Sequence, residues 1–317
     1  MAANWMRRTV VVAACASAAL LAACGSSTTE SAIAPARFIA FGDATTDVGQ
    51  KGVRYTVNDG SVNNWTLQVA ANYGKPLAPA AVGGTSYSIG NSRVLAQPDA
   101  AGNTTTPTLA QQIDSFLATG TFGATDVVIL SGGASDLIAQ MAAVNAGTTT
   151  PAAMVAASRQ AGSDMAAQVR RLVNAGAKYV MVTGAYDLGK TPWAKTINRE
   201  ALLSDASSRF NEGLLVNIVD LGANVLYVDL AYYVNLYTSV PANFGFNNAT
   251  NAVCTSVDPT NGIGIGAGQV NSALCSASTL LPGASQNSYV FADSVYLTPS
   301  AQRQFGVYAY DRLRARW

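Results

Sequence analysis

The sequence contains no histidine and only four cysteines among its 317 residues. The lack of an imidazole excludes every mechanism that uses histidine as a general base, a general acid or a metal ligand. Four cysteines without histidine also argue against a zinc site, so we expect neither a metal nor a cofactor. Charged residues make up only 12%, and 19 Lys+Arg against 18 Asp+Glu leave a net charge of +1. Such a chain has no broad basic field to attract nucleic acid.

Hydrophobic residues, by contrast, make up 49% of the chain. This proportion is typical of a globular protein with a sizeable core and excludes a disordered chain. The one basic cluster is Arg312, Arg314 and Arg316 at the C-terminus. We interpret it as the solvated end of a last helix, where cations complement the helix dipole.

The N-terminus has the pattern of an export signal. Arg7 and Arg8 precede an apolar run at residues 10–23, which is short for a membrane span and typical of a signal peptide. The run ends in Leu-Ala-Ala followed by Cys24, which resembles the bacterial lipobox, whose cysteine is lipidated and becomes the mature N-terminus. The alternative is an ordinary signal peptide that contains a cysteine.

We therefore expect a lipoprotein that is exported and anchored in the bacterial cell envelope, at the outer membrane or the periplasmic face. The polar residues after Cys24 have the composition of a flexible tether. The predicted organisation is a signal peptide at 1–23, the lipidated cysteine and tether at 24–36, and one domain at 37–317.

Two cysteines remain in the predicted mature domain, Cys254 and Cys275, because Cys15 lies in the removed segment. Exported proteins meet an oxidising compartment, so we expect a disulfide between them; the alternative is two free buried thiols. The disulfide would cross-link residues 246–287. This segment is rich in Asn, Gly, Ser and Thr and forms an unusually long loop.

Short apolar runs alternate with longer amphipathic stretches along the domain. Continuous apolar runs are typical of strands buried on both faces of a parallel sheet. The runs are Phe38–Phe41, Val127–Leu130, Tyr179–Val182 and Val225–Val228, with Ser86–Ile89 as a weaker fifth candidate. The helical stretches between them open at proline, as at Pro107 and Pro151, or end at glycine. The pattern predicts a three-layer α/β/α sandwich with a mainly parallel sheet of about five strands. In such sheets the functional site lies at the carboxyl ends of the strands.

Four sequence blocks lie at the ends of predicted strands or before the last helix. The first reads Phe-Gly-Asp-Ala-Thr-Thr-Asp-Val-Gly at 41–49, and Tyr-Ser-Ile-Gly-Asn-Ser-Arg follows at 87–93. The third reads Gly-Gly-Ala-Ser-Asp-Leu at 132–137, and the last reads Phe-Ala-Asp-Ser-Val-Tyr-Leu-Thr at 291–298. Together, and in this order, they resemble the GDSL (SGNH) family of ester hydrolases from about residue 37 to 315. The resemblance implies the SGNH-hydrolase fold.

The resemblance also implies a role for five positions. The family has a nucleophilic serine where this chain has Ala44, an oxyanion-binding asparagine where it has Ser135, and a histidine where it has Tyr296. Two positions are kept. Gly90 matches a glycine whose backbone N–H binds the oxyanion, and Asp293 matches the acid that orients the histidine.

These substitutions remove the chemistry of the family. Ala44 offers no hydroxyl, and the phenol of Tyr296, with an ordinary pKa of about 10, is protonated at neutral pH. Asp293 then has no imidazole to orient, and we interpret it as a cap of the last helix or a partner of Tyr296. Thr45 and Thr46 are interpreted as turn residues with local hydrogen bonds. The alternative of paired catalytic carboxylates would involve Asp43, Asp47, Asp136 and Asp293.

Three functions follow from this pattern. The first is a non-catalytic ligand-binding or scaffold lipoprotein, with an acyl ester, a lipid or a glycan as its possible ligand. Its lipid anchor would attach it to the membrane. The second is an active or weakly active ester hydrolase with an unconventional site. The third is a structural envelope protein whose cleft is vestigial. An open cleft at Ala44, Gly90 and Ser135 would favour the first, whereas a cleft filled by Tyr296 or nearby aromatic residues would favour the third. The sequence leaves the oligomeric state open.

Overall fold

A computed structural model describes residues 33–317 of the chain. The predicted signal peptide, Cys24 and most of the predicted tether lie outside these residues. Within 33–317, no helix is both long enough and apolar enough to cross a membrane.

The centre of the domain is a parallel sheet of four strands. In sheet order these are β1 (Phe38–Gly42), β2 (Val127–Ser131), β3 (Tyr179–Thr183) and β4 (Val225–Tyr227). All residues of β1 and β2 are buried, which explains why their sequences are apolar without alternation. The four strong strand predictions and the parallel α/β fold are confirmed.

The fifth predicted strand is only partly formed. The backbone N–H groups of Tyr87 and Ile89 donate to the carbonyl oxygens of Ala40 and Gly42 at 2.7 and 3.1 Å, so this segment runs beside β1. Ser86, however, also exchanges backbone hydrogen bonds with the turn at 78–80. The segment therefore pairs with β1 and with this turn only at isolated bridges, in place of a fifth strand.

Eight α-helices occur in the described part of the chain. They are α1 (Trp65–Asn72), α2 (Leu109–Leu117), α3 (Ala134–Asn145), α4 (Pro151–Asn174), α5 (Pro192–Thr196), α6 (Glu200–Val216), α7 (Leu230–Ser239) and α8 (Pro299–Arg316). Pro151 stands in the first turn of α4, as predicted, and Pro299 opens α8 in the same way. Helix α2 begins after Pro107, because Thr108 caps it in a capping box with Gln111.

Aromatic contacts show which helices cover each face of the sheet. Phe38 contacts Tyr73, next to the end of α1, and Tyr73 contacts Tyr310 of α8, with ring centroids 5.7 and 4.9 Å apart. Phe41 contacts Phe116 of α2 at 5.8 Å. Alternate residues of a strand point to opposite faces, so α1 and α8 cover one face and α2 the other. This is the predicted three-layer arrangement.

The long region between α7 and α8 contains two small strand pairs. Strand β5 (Asn248–Ala252) pairs with β8 (Tyr289–Phe291), and β6 (Val257–Asp258) pairs with β7 (Gln269–Val270). Cys254 and Cys275 are joined in the structure, with Cα atoms 5.9 Å apart. The joined pair packs in a small apolar cluster with Val57, Val253 and Ala292, which attaches this region to the loop before α1.

Candidate functional site

The turn after β1 brings Asp43 and Ala44 to the carboxyl edge of the sheet. Gly42 lies so close to the carbonyl of Ser131 that a Cβ at position 42 would overlap it, and this tight approach requires glycine. The N–H groups of Thr46 and Asp47 donate to the carbonyl oxygen of Asp43 at 3.1 and 3.0 Å and close the turn. The methyl group of Ala44 is buried in the main core, with 1% of the residue exposed.

Asp43 is a buried carboxyl group whose Oδ1 is hydrogen-bonded to Thr45. Its Oδ1 accepts the N–H and the hydroxyl of Thr45 at 3.0 and 2.8 Å. Burial raises the pKa of Asp43 above 3.8, opposed by these bonds and by the N–H groups of Ser135 and Ala134 at the start of α3. No donor in the described part of the chain makes a hydrogen bond of good geometry to Oδ2.

A chain of hydroxyl groups crosses the ends of three strands. Thr183 of β3 donates to Ser131 of β2 at 2.7 Å, and the Ser131 oxygen lies 2.9 Å from the hydroxyl of Thr45. Thr45 in turn donates to Asp43. Thr45 is therefore held on both sides, and its role agrees with the predicted local bonding. Thr46 is fully buried, and its hydroxyl has no partner among residues 33–317.

The backbone N–H of Gly90 is already engaged. It donates to Oδ2 of Asp47 at 2.8 Å, while Oδ1 of Asp47 accepts the N–H groups of Gly49 and Gln50, both at 2.8 Å. Burial raises the pKa of Asp47, and the three backbone donors oppose that rise. The ring of Tyr55 lies against Gly90 so closely that a Cβ there would overlap it. The N–H of Gly90, which the sequence matched to an oxyanion donor, is thus already bonded to Asp47 and covered by the ring of Tyr55.

Asp293 closes a turn and binds the disulfide region. Its Oδ1 accepts the N–H groups of Val295 and Tyr296 at 2.7 and 2.6 Å, and its Oδ2 accepts the N–H of Ser272 at 2.9 Å. Burial raises its pKa. The cap of α8 is Thr298, so Asp293 does not cap that helix. Asp293 is instead a hydrogen-bond partner of Tyr296, through the backbone N–H of that residue.

The rings of Tyr296 and Tyr55 pack against each other at this edge of the sheet. Tyr296 is 1% exposed, and its ring meets the edge of Tyr55 with centroids 5.2 Å apart. Burial, and then the charge of Asp43, raise the pKa of Tyr296 far above 10.0, so the phenol stays neutral. Ser135, in the first turn of α3, is fully buried. Neither the Tyr296 nor the Ser135 hydroxyl has a partner in the described chain.

The fold therefore brings Asp43, Ala44, Gly90, Ser135 and Tyr296 to one edge of the sheet, with Asp293 behind Tyr296. Sequence reasoning missed Tyr55, which lies in an irregular loop outside every motif. It also missed Ser131 and Thr183, although both stand at the ends of predicted parallel strands. No group of three or more acidic or cysteine side chains among residues 33–317 is placed to hold a metal ion.

A family model described as "GDSL-like Lipase/Acylhydrolase" matches residues 38–307. The chain belongs to the GDSL-like lipase/acylhydrolase family. A Pseudomonas putida protein, described as an uncharacterized protein in the trpE-trpG intergenic region, is 27% identical over 316 residues. That match covers 88% of this chain and 48% of the relative, so the chain spans about half the length of this curated relative.

Two solved structures of an aryl esterase from M. smegmatis also resemble this GDSL-like chain. The native form has a TM-score of 0.45 at 14% identity, and the inhibitor-bound form 0.43 at 15%. Both matches cover 89% of this chain and 99% of the other. At these TM-scores the resemblance supports no conclusion about this chain.

Asp136, in the third block of the GDSL-like chain, is a buried member of an ion pair. Its Oδ1 lies 3.3 Å from Nε of Arg93, and its Oδ2 accepts the N–H of Val94 at 2.9 Å. Burial raises the pKa of Asp136 to about 6, although Arg93 and the N–H of Val94 oppose the rise. Its contacts thus bind it to the second block, and the nearby charge of Asp43 adds to the rise of its pKa.

This raised pKa predicts the effect of Asp136→Asn. The pKa of the Asp136 carboxyl is near 3.8 in the unfolded chain and about 6 in the folded protein. Between these pH values the folded state therefore binds more protons than the unfolded state. The contribution of Asp136 to stability is therefore greatest below pH 3.8 and is lost as the pH rises to 6, by about 3 kcal/mol. Asparagine mimics the protonated acid. We expect equal stability of the two proteins at pH 4 and a more stable Asn variant at pH 7.5.

Urea unfolding at both pH values measures this difference. Asp220→Asn is the control, because Asp220 is exposed and hydrogen bonding to Arg170 lowers its pKa, which reverses the sign. A less stable Asp136→Asn variant at pH 7.5 would mean that the attraction of Arg93 outweighs burial.

Proposed function

We propose that this protein is a non-catalytic member of the GDSL-like family that acts as a scaffold in the bacterial envelope. The observation that carries the proposal is the closed catalytic position. Ala44 and Tyr296 are each 1% exposed and Ser135 is fully buried, with the Tyr55 ring packed against Tyr296. A ligand-binding role at this position would need an opening, so the filled site favours the structural form of the proposal.

The chemistry of the site supports the same conclusion. Ester hydrolysis in this family requires a hydroxyl activated by a base, and position 44 carries a methyl group. The phenol of Tyr296 is neutral and buried, and the carboxylate of Asp293 is occupied by three backbone donors. Loss of one oxyanion donor typically lowers a rate about a hundredfold to a thousandfold, and loss of the triad about a millionfold.

One contact favours the alternative of an unconventional ester hydrolase. The hydroxyl of Thr45 lies 2.8 Å from the carboxylate of Asp43, and burial raises the pKa of that carboxyl toward that of a useful base. Against it, Thr45 is only 7% exposed, and its oxygen lies 2.9 Å from the Ser131 hydroxyl. An enzyme of this kind would act on acyl esters.

A fluorophosphonate probe separates the two functions, because it phosphonylates an activated hydroxyl irreversibly. We expect no increase in the intact mass of the protein after incubation with the probe. An adduct that disappears in Thr45→Val would support the hydrolase. Thr66→Val is the matched control, because the Thr66 hydroxyl is also buried but bonds to Asn64 at the cap of α1.

The envelope location is part of the proposal and rests on the lipobox-like sequence before Cys24. Because acylation at two or more positions makes membrane anchoring stable, Cys24→Ser should move the protein from the membrane fraction to a soluble one. Cys15→Ser should leave it in the membrane fraction. Intact protein that is soluble and retains residues 1–23 would contradict the assignment.

A further inference from the structure

The last turn of α8 lies at the amino ends of the central strands. The ring of Trp317 contacts Tyr179, the first residue of β3, with centroids 5.2 Å apart. Arg316 donates a hydrogen bond to the carbonyl oxygen of Gly222, in the loop before β4. This turn and the loops that precede β1 to β4 form one surface, which we call the amino-end face. It lies opposite the carboxyl edge of the sheet, where the family's catalytic positions lie.

The amino-end face is positively charged. The two acidic side chains of its loops are held in ion pairs, since Asp126 lies 2.9 Å from Arg37 and Asp220 lies 2.7 Å from Arg170. Three further cations belong to the face: Lys178, Arg314 and Arg316. Their charge exceeds that of the carboxylate of the last residue, so the face attracts anions.

Apolar and aromatic side chains lie at the same end of the domain. Val216 and Val219, at the end of α6 and in the loop before β4, are 59% and 79% exposed. The guanidinium of Arg316 lies 5.8 Å from the centre of the Trp317 ring. Tryptophan beside Arg or Lys is typical of the membrane–water interface, where the ring lies at headgroup level and the cation meets lipid phosphates. The chemistry of this face thus fits an anionic phospholipid surface.

The predicted lipid anchor is attached at this end of the domain. Cys24 is nine positions before Ile33, which is buried in the core, so a fully extended chain separates the two by at most about 30 Å. Beyond Ile33 the chain reaches the amino end of β1, where the N–H of Ala36 donates to the carbonyl of Thr125 at 3.2 Å. A lipid on Cys24 would therefore keep the amino-end face near the bilayer.

We infer that the amino-end face docks on an anionic phospholipid membrane, with the carboxyl edge of the sheet directed away from it. The inference rests on the anchor of the proposed function, which keeps the domain near the membrane, whereas the face determines its orientation. One Lys or Arg near an anionic surface favours the docked state about fivefold, so the three cations together favour it about a hundredfold. High salt should weaken the docking, because it screens these charges.

Tryptophan fluorescence tests the orientation. Within residues 33–317, Trp65 and Trp193 are buried in the core, whereas Trp317 is partly exposed at the amino-end face. The full lipoprotein is placed in vesicles of phosphatidylethanolamine and phosphatidylglycerol that carry a doxyl quencher near the headgroup. We expect quenching that weakens at high salt and in vesicles of phosphatidylcholine. It should disappear in Trp317→Phe, which excludes a contribution from Trp5.

Charge reversal separates this face from the rest of the surface. The test variant reverses its three cations: Lys178→Glu, Arg314→Glu, Arg316→Glu. We expect its quenching to fall to the level of Trp317→Phe. The matched control reverses three exposed cations that follow the carboxyl end of β3: Lys190→Glu, Lys195→Glu, Arg199→Glu. The control should keep its quenching. If the test variant does not fold, the comparison of the two vesicle types with the unmodified protein decides.

Flotation of the same samples distinguishes this inference from the proposed function. Protein that floats with the vesicles but shows no quenching of Trp317 would overturn the docking and leave the anchor intact. Equal quenching in both vesicle types, or equal loss in both triple variants, would overturn it as well. Protein that floats only with anionic vesicles, with Trp317 quenched, would support the docking and contradict the anchor. Protein that floats with neither vesicle would overturn both.

Discussion

The unmodified protein is expected to hydrolyse no p-nitrophenyl acetate above a heat-inactivated control, and Ala44→Ser alone is expected to leave that result unchanged. The new hydroxyl would have no base, because the chain contains no imidazole and the phenol of Tyr296 is held neutral by burial. The expected deficit relative to an intact triad is about a millionfold. Release of p-nitrophenol, followed by absorbance, measures it.

Restoring three family residues together should produce turnover. In Ala44→Ser, Ser135→Asn, Tyr296→His, the imidazole would stand at a position whose backbone N–H already binds Asp293 and whose side chain lies near Asp43. Adding Tyr55→Ala should raise kcat/KM further, because Tyr55 covers Gly90. Turnover by the unmodified chain that is lost in Thr45→Val would instead establish the unconventional hydrolase.

Replacement of both Cys254 and Cys275 by serine should lower the free energy of unfolding by about 3 kcal/mol. The two residues are 21 positions apart, and joining them removes conformational freedom from the unfolded chain. The replacement should also loosen two contacts of this region. The N–H of Asn58 donates to the carbonyl of Cys275 at 2.9 Å, and the N–H of Ser272 binds Asp293.

Urea unfolding with and without dithiothreitol measures this effect. The reductant should destabilise the unmodified protein about as much as the double substitution does, and it should not affect the serine variant. Equal stability of the unmodified protein in both conditions, with two reactive thiols after unfolding, would show that the cysteines are free.

The main sheet could be predicted because its signal is local. Runs such as Val127–Leu130 are apolar at every position, and this pattern requires burial on both faces. The segment Ser86–Ile89 was harder, because it pairs with β1 on one side and with the turn at 78–80 on the other, and only at isolated bridges. Helices α1, α3, α5 and α7 were missed, because α5 is short and the other three carry weak periodicity.

The sequence by itself determined which side chains stand at the positions that match the family's catalytic residues. A methyl group at Ala44 and a phenol at Tyr296 are properties of the residues, and no fold can turn them into a nucleophile and an imidazole base. The order of the four blocks was likewise enough to indicate the family, because each block follows a predicted strand or precedes the last helix.

Only the tertiary structure decided whether the site is open. Tyr55 and Gly90 belong to different loops, and their contact arises because both loops pack on the carboxyl edge of the sheet. The bond from the Gly90 N–H to Asp47 has the same origin. Burial and hydrogen-bond partners depend on which distant segments meet, so residues with the expected identity, such as Gly90 and Asp293, proved to be already engaged.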